Sequence, residues 1–464
     1  AAGEMRQRLM DWLAEFARAD DARLREELRA RGVDAAHVDA LIVPLRGLHL
    51  RLLRQGRGVQ IRTFHSWFAA LLRNAPLAVL DELGLPAAYE LLESDEEARA
   101  QVWRPFHARL LREQEEGGTA LMDYQAVVAA HGRSQTEKAL DAALDKRVEF
   151  ALADADRDAQ GASVLERSVP RFESLYPEFA VAEGAQPLDV LLSPGELRDG
   201  LGEAARLLGQ ATQPSFRDKG VALETALSAR VPQAVLEALL TEGGRGTPRK
   251  FSDKVAGIER VREVQQVMLR VLQAQQQHEA WLHQQRMARL ARLLLEEYAT
   301  LKRQRGWVDM SDVERAALHL LERSELSAWL QQRLDARTRH LLIDEFQDTN
   351  PLQWQALHAW LSGYAGAGGG ATGGGGAPRL FIVGDPKQSI YRFRRAEPQI
   401  FRAAQDFVQA LGGDLLACDH TRRNASAVLT HVNTVLGEAQ ARGEYEGFRA
   451  HTTESVQAGE VAML

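Results

Sequence analysis

Over much of the first 300 residues, apolar side chains recur at the three- and four-residue spacing of amphipathic helices. The pattern predicts a helix over residues 1–30, a short strand over 58–63 and a helix over 64–72. It then predicts helices almost throughout 87–295, and the stripe is clearest over 252–301. Such stripes usually pack on a core, and a coiled-coil arm is disfavoured because the heptad is not sustained. We therefore expect a large helical subdomain.

Beyond about residue 300, short apolar runs alternate with helical stretches. Strands are expected over residues 341–345 and 379–385, with a helix over 351–362 between them. A third strand-like stretch surrounds residues 415–418. This alternation favours an α/β architecture with a mostly parallel sheet. A glycine-rich stretch, residues 363–376, lies between the first two expected strands. It lacks the Gly-Lys-Ser/Thr of a phosphate-binding loop, so a surface linker is expected there.

Composition limits the class of protein. A chain of 464 residues is too long for one core, so two or three domains are expected. Cys418 is the only cysteine, which excludes an intramolecular disulfide and fits a reducing, cytoplasmic location. Neither a secretory signal nor an apolar run of about 18 residues is present, so no membrane association is expected.

Charge and the chain ends add two expectations. The net charge is −7, so a nucleic-acid site would have to be a local basic groove on an acidic protein. The chain begins at Ala1 and stops shortly after a strand-like stretch at 459–462. We therefore expect it to be a fragment of a longer polypeptide.

Two adjacent acids follow the first apolar strand. Asp344 and Glu345 come directly after Leu-Leu-Ile, which predicts a buried parallel strand that delivers carboxylates to the carboxyl edge of a sheet. Nucleotide-dependent enzymes place acids at this edge, where one can bind Mg²⁺ and the other can orient the attacking water.

The second strand is followed by alternating aromatic and arginine side chains, which include Tyr391, Phe393 and Arg394. A Gly-Asp-Pro turn and a surface helix would explain these residues without a function. Rings that stack on bases and arginines that bind phosphates instead suit a single-stranded nucleic-acid path. The neighbouring acidic strand favours this second interpretation, and Gln388 could then sense a γ-phosphate.

Phe64 and His65 lie at the predicted strand-to-helix junction. Alone, Phe64 would be a core residue and His65 a hydrogen-bonded polar group. Beside a nucleic-acid path, Phe64 becomes a candidate base-stacking wedge.

Several motifs occur in the order typical of one family. Residues 344–349, Asp-Glu-Phe-Gln-Asp-Thr, resemble motif II of the UvrD/Rep-type superfamily 1A DNA helicases, and residues 384–394 resemble motif III. Residues 63–66 resemble motif Ib, residues 1–6 the end of motif Ia, and residues 298–312 the segment before motif II. The long helical insertion and the Pro-Lys pair in motif III point toward the RecB/AddA branch.

The resemblance implies a fold with two RecA-like domains of the P-loop NTPase type, called 1A and 2A, and a helical subdomain 1B inserted in 1A. Domain 1A would comprise residues 1–86 and 296–405, and 1B would comprise 87–295. Residues 406–464 would begin domain 2A.

The resemblance also implies roles for matching residues. Asp344 would bind Mg²⁺, Glu345 would activate water, and Gln388 would contact the γ-phosphate of ATP. The residues implied to line a DNA channel are Phe64, His65, Tyr391, Phe393 and Arg394.

Motif IV matches less closely. Its usual Asn-aromatic-Arg-Ser appears as Thr-Arg-Arg-Asn at 421–424. Arg423 aligns with the arginine that reaches the γ-phosphate from 2A. Arg422 replaces the ring that stacks on adenine, and its guanidinium can stack in the same way.

The Walker A lysine is expected upstream of Ala1, and motifs V and VI beyond Leu464. Without that lysine and the motif VI arginine, charge on the transferred phosphoryl group would be poorly neutralised. The chain as written is therefore expected not to sustain ATP-driven unwinding, although its full-length parent should.

The resemblance implies an ATP- and Mg²⁺-dependent 3′-to-5′ DNA helicase or translocase that acts in recombination and double-strand-break repair. Its partners would be single-stranded DNA, junctions of single- and double-stranded DNA, and other subunits of a recombination helicase–nuclease complex. The alternative is a non-catalytic DNA-binding partner subunit with a degenerate motor.

Overall fold

The computed structural model describes residues 2–55, 59–180, 182, 184–323, 340–366, 378–390, 396–397, 399–444 and 448–462. The helices in these residues are α1 (Ala2–Arg18), α2 (Asp21–Ala30), α3 (Ala35–Arg46), α4 (Leu48–Gln55), α5 (Phe64–Arg73), α6 (Leu77–Glu82), α7 (Glu96–Glu115), α8 (Ala120–His131), α9 (Arg133–Asp145), α10 (Arg147–Ala155), α11 (Val164–Arg167), α12 (Phe172–Leu175), α13 (Glu196–Gly209), α14 (Pro214–Ser228), α15 (Pro232–Leu239), α16 (Ile258–Arg305), α17 (Met310–Glu322), α18 (Pro351–Gly366), α19 (Gln399–Ala410) and α20 (Ser426–Ala441). No helix in this part of the chain is long and apolar enough to cross a membrane.

The strands of the described residues form parallel pairs. They are β1 (Glu90–Leu91) with β2 (Trp307–Val308), β3 (His340–Ile343) with β4 (Arg379–Ile382), and β5 (His420–Thr421) with β6 (Thr452–Thr453). The chain is thus a mostly helical α/β protein, and the predicted α/β class with parallel pairing is confirmed.

The chain folds into two compact units. Unit 1 comprises residues 1–74 and 314–464, and unit 2 comprises residues 75–313, so unit 2 interrupts unit 1 in sequence. The predicted division into domains 1A, 1B and 2A stays a prediction.

Some elements predicted from the local sequence pattern differ from those in the structure. The helical pattern over 1–30 corresponds to two helices, since the Asp20 carboxylate accepts a hydrogen bond from the Arg23 N–H at 2.8 Å and caps the start of α2. Residues 59–63 form no strand, and neither do 415–418 or 459–462. The third strand lies a few residues later than expected, as β5. A strand forms where the backbone finds a hydrogen-bonding partner, and the partner of β5 is β6.

Helix α16, which has 48 residues, organises unit 2. Its first half buries Val261, Val264 and Met268 in one core with α13. Its second half buries Leu290 and Leu294 in another core with α7, α8 and α9. The apolar stripe predicted over 252–301 is therefore core packing, divided between two sites.

A buried ion network ties the end of α16 to the start of α17 within unit 2. The Lys302 ammonium lies 2.6 Å from a carboxylate oxygen of Asp309 and 2.5 Å from one of Asp312. Arg147 approaches the other oxygen of Asp309 at 2.9 Å. Burial opposes ionisation of Asp309, yet the two cations hold its pKa well below the usual range. The Tyr298 ring lies 4.8 Å from the ammonium, where a cation–π contact adds to the network.

We predict that Lys302→Met lowers the free energy of unfolding of unit 2 by about 3–5 kcal/mol, because it leaves buried carboxylates short of a cation. Hydrogen exchange of the α16 amides in urea measures this unit by itself. Lys138→Met, which replaces an exposed lysine on α9, should change the free energy by less than about 0.5 kcal/mol. Equal effects of the two substitutions would contradict the assignment.

The same network predicts a pH dependence. Because the folded-state pKa of Asp309 is lowered, its contribution is present above the unfolded pKa of about 3.9 and is lost as pH falls through the folded value. Stability of unit 2 should therefore fall from pH 5 towards pH 2 in the wild-type protein. Asp309→Asn should be less stable at pH 7 and should show a shallower decline in acid. An unchanged slope would show that other groups dominate.

Candidate functional site

We call the carboxyl end of the paired strands β3 and β4 in unit 1, where Asp344 and Glu345 lie, the acidic edge. The strands are parallel and in register from His340 opposite Arg379 to Ile343 opposite Ile382. Their carboxyl ends therefore reach the same edge. Asp344 and Glu345, both exposed, follow β3 directly.

Glu345 has an unusual backbone. Its φ is +52°, in the left-handed region that costs a non-glycine residue about 1–2 kcal/mol. The Asp344 carboxylate accepts the Glu345 N–H at 3.0 Å and so supports this turn. A 3-10 turn, Phe346–Asp348, follows at once. The extended backbone of β3 therefore ends at the two residues that carry the carboxylates.

Gln347 bridges the ends of the two strands from a buried position. Its amide nitrogen donates to a Glu345 carboxylate oxygen at 2.6 Å, and its amide oxygen accepts the Asp385 N–H at 2.9 Å. Its backbone carbonyl accepts the Ser389 hydroxyl at 3.1 Å. One side chain thus positions the predicted catalytic carboxylate against the turn that follows β4. Gln347 lies within the motif at 344–349, but local pattern gave no reason to assign it a role.

Gly384 makes room for this bridge. A Cβ at this position would lie 2.6 Å from the Gln347 side-chain oxygen and 3.0 Å from the Phe346 nitrogen. The first distance is closer than real Cβ atoms come, and the second is tighter than most and involves backbone that cannot easily move aside. Glycine is required here for close approach.

Gln388 joins the same edge. It is exposed, lies in the 3-10 turn Pro386–Gln388, and donates to the Asp385 carboxylate at 3.0 Å. Hydrogen bonds therefore run from Glu345 through Gln347 and Asp385 to Gln388. The structure brings together three predicted residues, Asp344, Glu345 and Gln388.

Aromatic packing holds this edge in place. Phe346 is buried, and its ring lies 5.6 Å from that of Trp354 on α18 and 6.0 Å from that of Phe401 on α19. The turn that carries the acids is therefore anchored to both flanking helices.

Phe64 and His65 occupy the first turn of α5. Phe64 is half-buried, with its ring centroid 5.9 Å from that of Phe68. The imidazole of His65 lies 3.0 Å from a carboxylate oxygen of Glu314. Both residues therefore have partners within the protein, and their predicted role in a DNA channel stays a prediction.

An open cavity of about 580 Å³ lies beside the start of α5. The arginines that line it are Arg6, Arg62 and Arg73, and Thr63, Ser66 and Asn74 are among its other lining residues. The N-terminus of a helix also favours an anion, because its backbone N–H groups and dipole point outward there. The cavity is a candidate phosphate site on a chain whose net charge is −7.

Sequence reasoning missed these arginines. Positions 63, 66, 70 and 73 all line the cavity and follow helical spacing on one face of α5, opposite the buried Phe68, Leu71 and Leu72. The spacing of these positions could have predicted this exposed face of α5 from the sequence. Arg6 and Arg62 come from other segments, and local spacing could not show that they converge with Arg73.

Other predicted site residues stay apart from this edge or lie outside the described residues. Tyr391, Phe393 and Arg394 lie outside them. Arg422 is exposed and pairs with Glu454 at 2.5 Å, and Arg423 is also exposed. Among the described residues, no hydrogen bond or ion pair joins either arginine to Glu345 or Gln388. The predicted contributions of these five residues therefore stay predictions.

Paired parallel strands with a carboxylate pair at their carboxyl ends are an arrangement found in nucleotide-dependent α/β enzymes. The sequence profile of the UvrD/REP helicase N-terminal domain matches residues 1–409. The chain belongs to this family, and the predicted membership is confirmed.

Similar proteins are named as one of the subunits of an ATP-dependent helicase/nuclease. That of Desulfitobacterium hafniense (strain DSM 10664 / DCB-2) is 38% identical over 115 residues, which cover 25% of this chain and 8% of the relative. That of Exiguobacterium sibiricum is 40% identical over 119 residues, 26% of this chain and 9% of the relative. That of Lysinibacillus sphaericus (strain C3-41) is 35% identical over 169 residues, 35% of this chain and 13% of the relative. The matched segments are thus small parts of these relatives.

We predict that Gly384→Ala destabilises unit 1 by about 1–3 kcal/mol, because the added Cβ overpacks against Gln347 and the backbone of Phe346. Exchange of the Asp385 amide hydrogen should accelerate in the variant, since its acceptor is displaced. Gly437→Ala is the matched control. This glycine lies in α20 with no atom within 4 Å of an added Cβ, so alanine should be neutral or stabilising. The same sign of effect at both positions would disprove the close-packing argument.

Proposed function

We propose that this chain is part of an ATP-dependent DNA motor that moves 3′ to 5′ along single-stranded DNA and unwinds junctions of single- and double-stranded DNA. The observation that carries the proposal is the connected edge that runs from Glu345 through Gln347 and Asp385 to Gln388. Such an edge links a carboxylate suited to hydrolysis with the segment expected to contact DNA. The proposed direction of travel is the one that the family resemblance implies.

ATP and Mg²⁺ are the proposed cofactors, and the donor set fits them. Asp344 and Glu345 are exposed, and oxygen ligands suit a hard cation. Among the described residues, no cluster of three or more His, Cys, Asp or Glu side chains could hold a metal. Asp344 would therefore hold Mg²⁺ together with nucleotide phosphates, and the metal would neutralise phosphate charge.

Glu345 would act as the base that orients and polarises the attacking water. Its hydrogen bond from Gln347 fixes the direction of the carboxylate, and the left-handed backbone at φ +52° sets where it begins. Gln388 would contact the γ-phosphate. Arg423 would reach the same phosphate from the C-terminal part, and Arg422 would stack on adenine after leaving Glu454.

DNA would follow a path on unit 1 that includes the arginine-lined cavity. Arg6, Arg62 and Arg73 supply the local basic groove that an acidic chain needs for a polyanion. The proposed base-stacking residues are Phe64, Tyr391 and Phe393, with His65 lining the channel and Arg394 supporting the strand. Stacking and phosphate contacts without base readout suit a motor that acts on any sequence.

We place the motor in recombination and double-strand-break repair, since similar proteins are named as helicase/nuclease subunits. Other subunits of such a complex are the proposed protein partners. A cytoplasmic location follows from this role and from the single cysteine.

A second function fits the same architecture: that of a DNA-binding partner subunit without hydrolysis. The observation that favours it is the arginine-lined cavity, which suits phosphate binding whether or not ATP is hydrolysed. We propose that a longer polypeptide supplies the phosphate-binding lysine and the remaining motifs, and that the chain alone does not unwind DNA.

Glu345→Gln tests the motor in the full-length protein. ATP hydrolysis stimulated by single-stranded DNA should fall by about 10²–10⁴-fold, because the general base is lost, while ATP and DNA binding persist. Asp406→Asn, an exposed acid on α19, should hydrolyse ATP like the wild type. Undiminished hydrolysis by Glu345→Gln would refute the catalytic assignment. A wild-type protein that binds DNA but never hydrolyses ATP would establish the second function instead.

A further inference from the structure

Glu314 on α17 is a buried carboxylate at which three hydrogen bonds meet. Its side chain is 3% exposed. One of its oxygens, Oε1, lies 3.0 Å from His65 Nε2 and accepts hydrogen bonds of 2.8 Å from the amides of both Asn350 and Gln353. Several donors on a single oxygen fix their mutual positions closely.

The carboxylate is held in its charged form. Burial by itself would raise the pKa of Glu314, but the contacts with His65, Asn350 and Gln353 hold that pKa below its ordinary value. A buried charge remains in place only while such partners surround it. Moving any one donor therefore disturbs an ion that the protein cannot resolvate.

The donors come from two functionally different segments. His65 is in the first turn of α5, where Thr63 and Ser66 line the arginine cavity. Asn350 immediately precedes α18 and closes the segment that carries Asp344 and Glu345. Asn350 and Gln353 also cap each other: the Asn350 side-chain oxygen accepts the Gln353 N–H at 2.9 Å, and the Gln353 side-chain oxygen accepts the Asn350 N–H at 3.3 Å.

We propose that Glu314 is a positioning residue that couples occupancy of the arginine cavity by DNA to the acidic edge. The inference rests on the proposed motor function and deepens it. A strand bound in the cavity shifts the first turn of α5 and with it His65. Because His65 shares one oxygen with Asn350 and Gln353, the shift reaches the start of α18 and the turn that carries Glu345.

The coupling is measurable as linkage between two ligands. In the full-length protein, the affinity for a poly-dT oligonucleotide is measured with and without a non-hydrolysable ATP analogue. In the wild type the analogue should change the DNA affinity by about 5–150-fold, the usual range of coupling between sites. Glu314→Gln should bring that factor to within about twofold of one and leave the nucleotide-free DNA affinity nearly unchanged.

Gln265→Leu is the matched control for a general loss of stability. Gln265 is also buried, and its amide donates two hydrogen bonds, to the carbonyls of Leu239 and Arg249, but it belongs to unit 2. This variant should be destabilised and keep wild-type linkage. His65→Gln is a second variant for the case in which Glu314→Gln does not fold, and it should lose linkage because it breaks the same set of contacts at its exposed end.

The outcomes separate the inference from the function on which it rests. Wild-type linkage retained in Glu314→Gln, or in His65→Gln if the first variant is unfolded, overturns the coupling role and leaves the motor intact. Linkage lost equally in Gln265→Leu also overturns it, since destabilisation would then suffice. A wild-type protein with neither DNA-stimulated hydrolysis nor linkage refutes the proposed function itself.

Discussion

The backbone pairing of β3 with β4 is the interaction on which the candidate site depends. It continues past the strands, since Val383 donates to the Ile343 carbonyl at 2.8 Å and accepts from the Phe346 N–H at 3.0 Å. This extension holds the chain on both sides of Asp344 and Glu345. The left-handed backbone of Glu345 persists because those bonds over-determine it. If the pairing slipped by one residue, the side chains would exchange faces and the edge would be lost.

Buried ions have two uses in this protein. In unit 2, Lys302 joins Asp309 and Asp312, which are close in sequence, and Arg147 ties the same network to a more distant helix. In unit 1, Glu314 joins residues that are far apart in the chain. The carboxylates of Asp309 and Glu314 remain charged because their hydrogen-bonding and ionic partners replace water. The Lys302 network stabilises the fold of unit 2. The contacts of Glu314 connect distant segments, which is the connectivity that coupling between two sites requires.

An acidic chain can contact a polyanion only where its positive charge is concentrated. Three arginines line one cavity at the start of α5, so positive charge is concentrated there although the net charge of the chain is −7. The cavity and the acidic edge are each built on paired or capped elements of unit 1. In the proposed function, this common scaffold would connect phosphate binding in the cavity with nucleotide chemistry at the acidic edge through the contacts of Glu314.

The sequence alone determined the α/β class, the helical stripe of α16, and the position of Asp344 and Glu345 behind an apolar strand, because these features repeat at local spacing. It also placed α5 and showed the family resemblance. Only the tertiary structure decided that Gln347 contacts both Glu345 and Asp385, that Arg6 and Arg62 converge with Arg73, and that His65 contacts Glu314. The tertiary structure also showed that the third strand is β5 and not residues 415–418. These contacts join residues distant in the chain, and local periodicity carries no information about which distant partner a side chain will find.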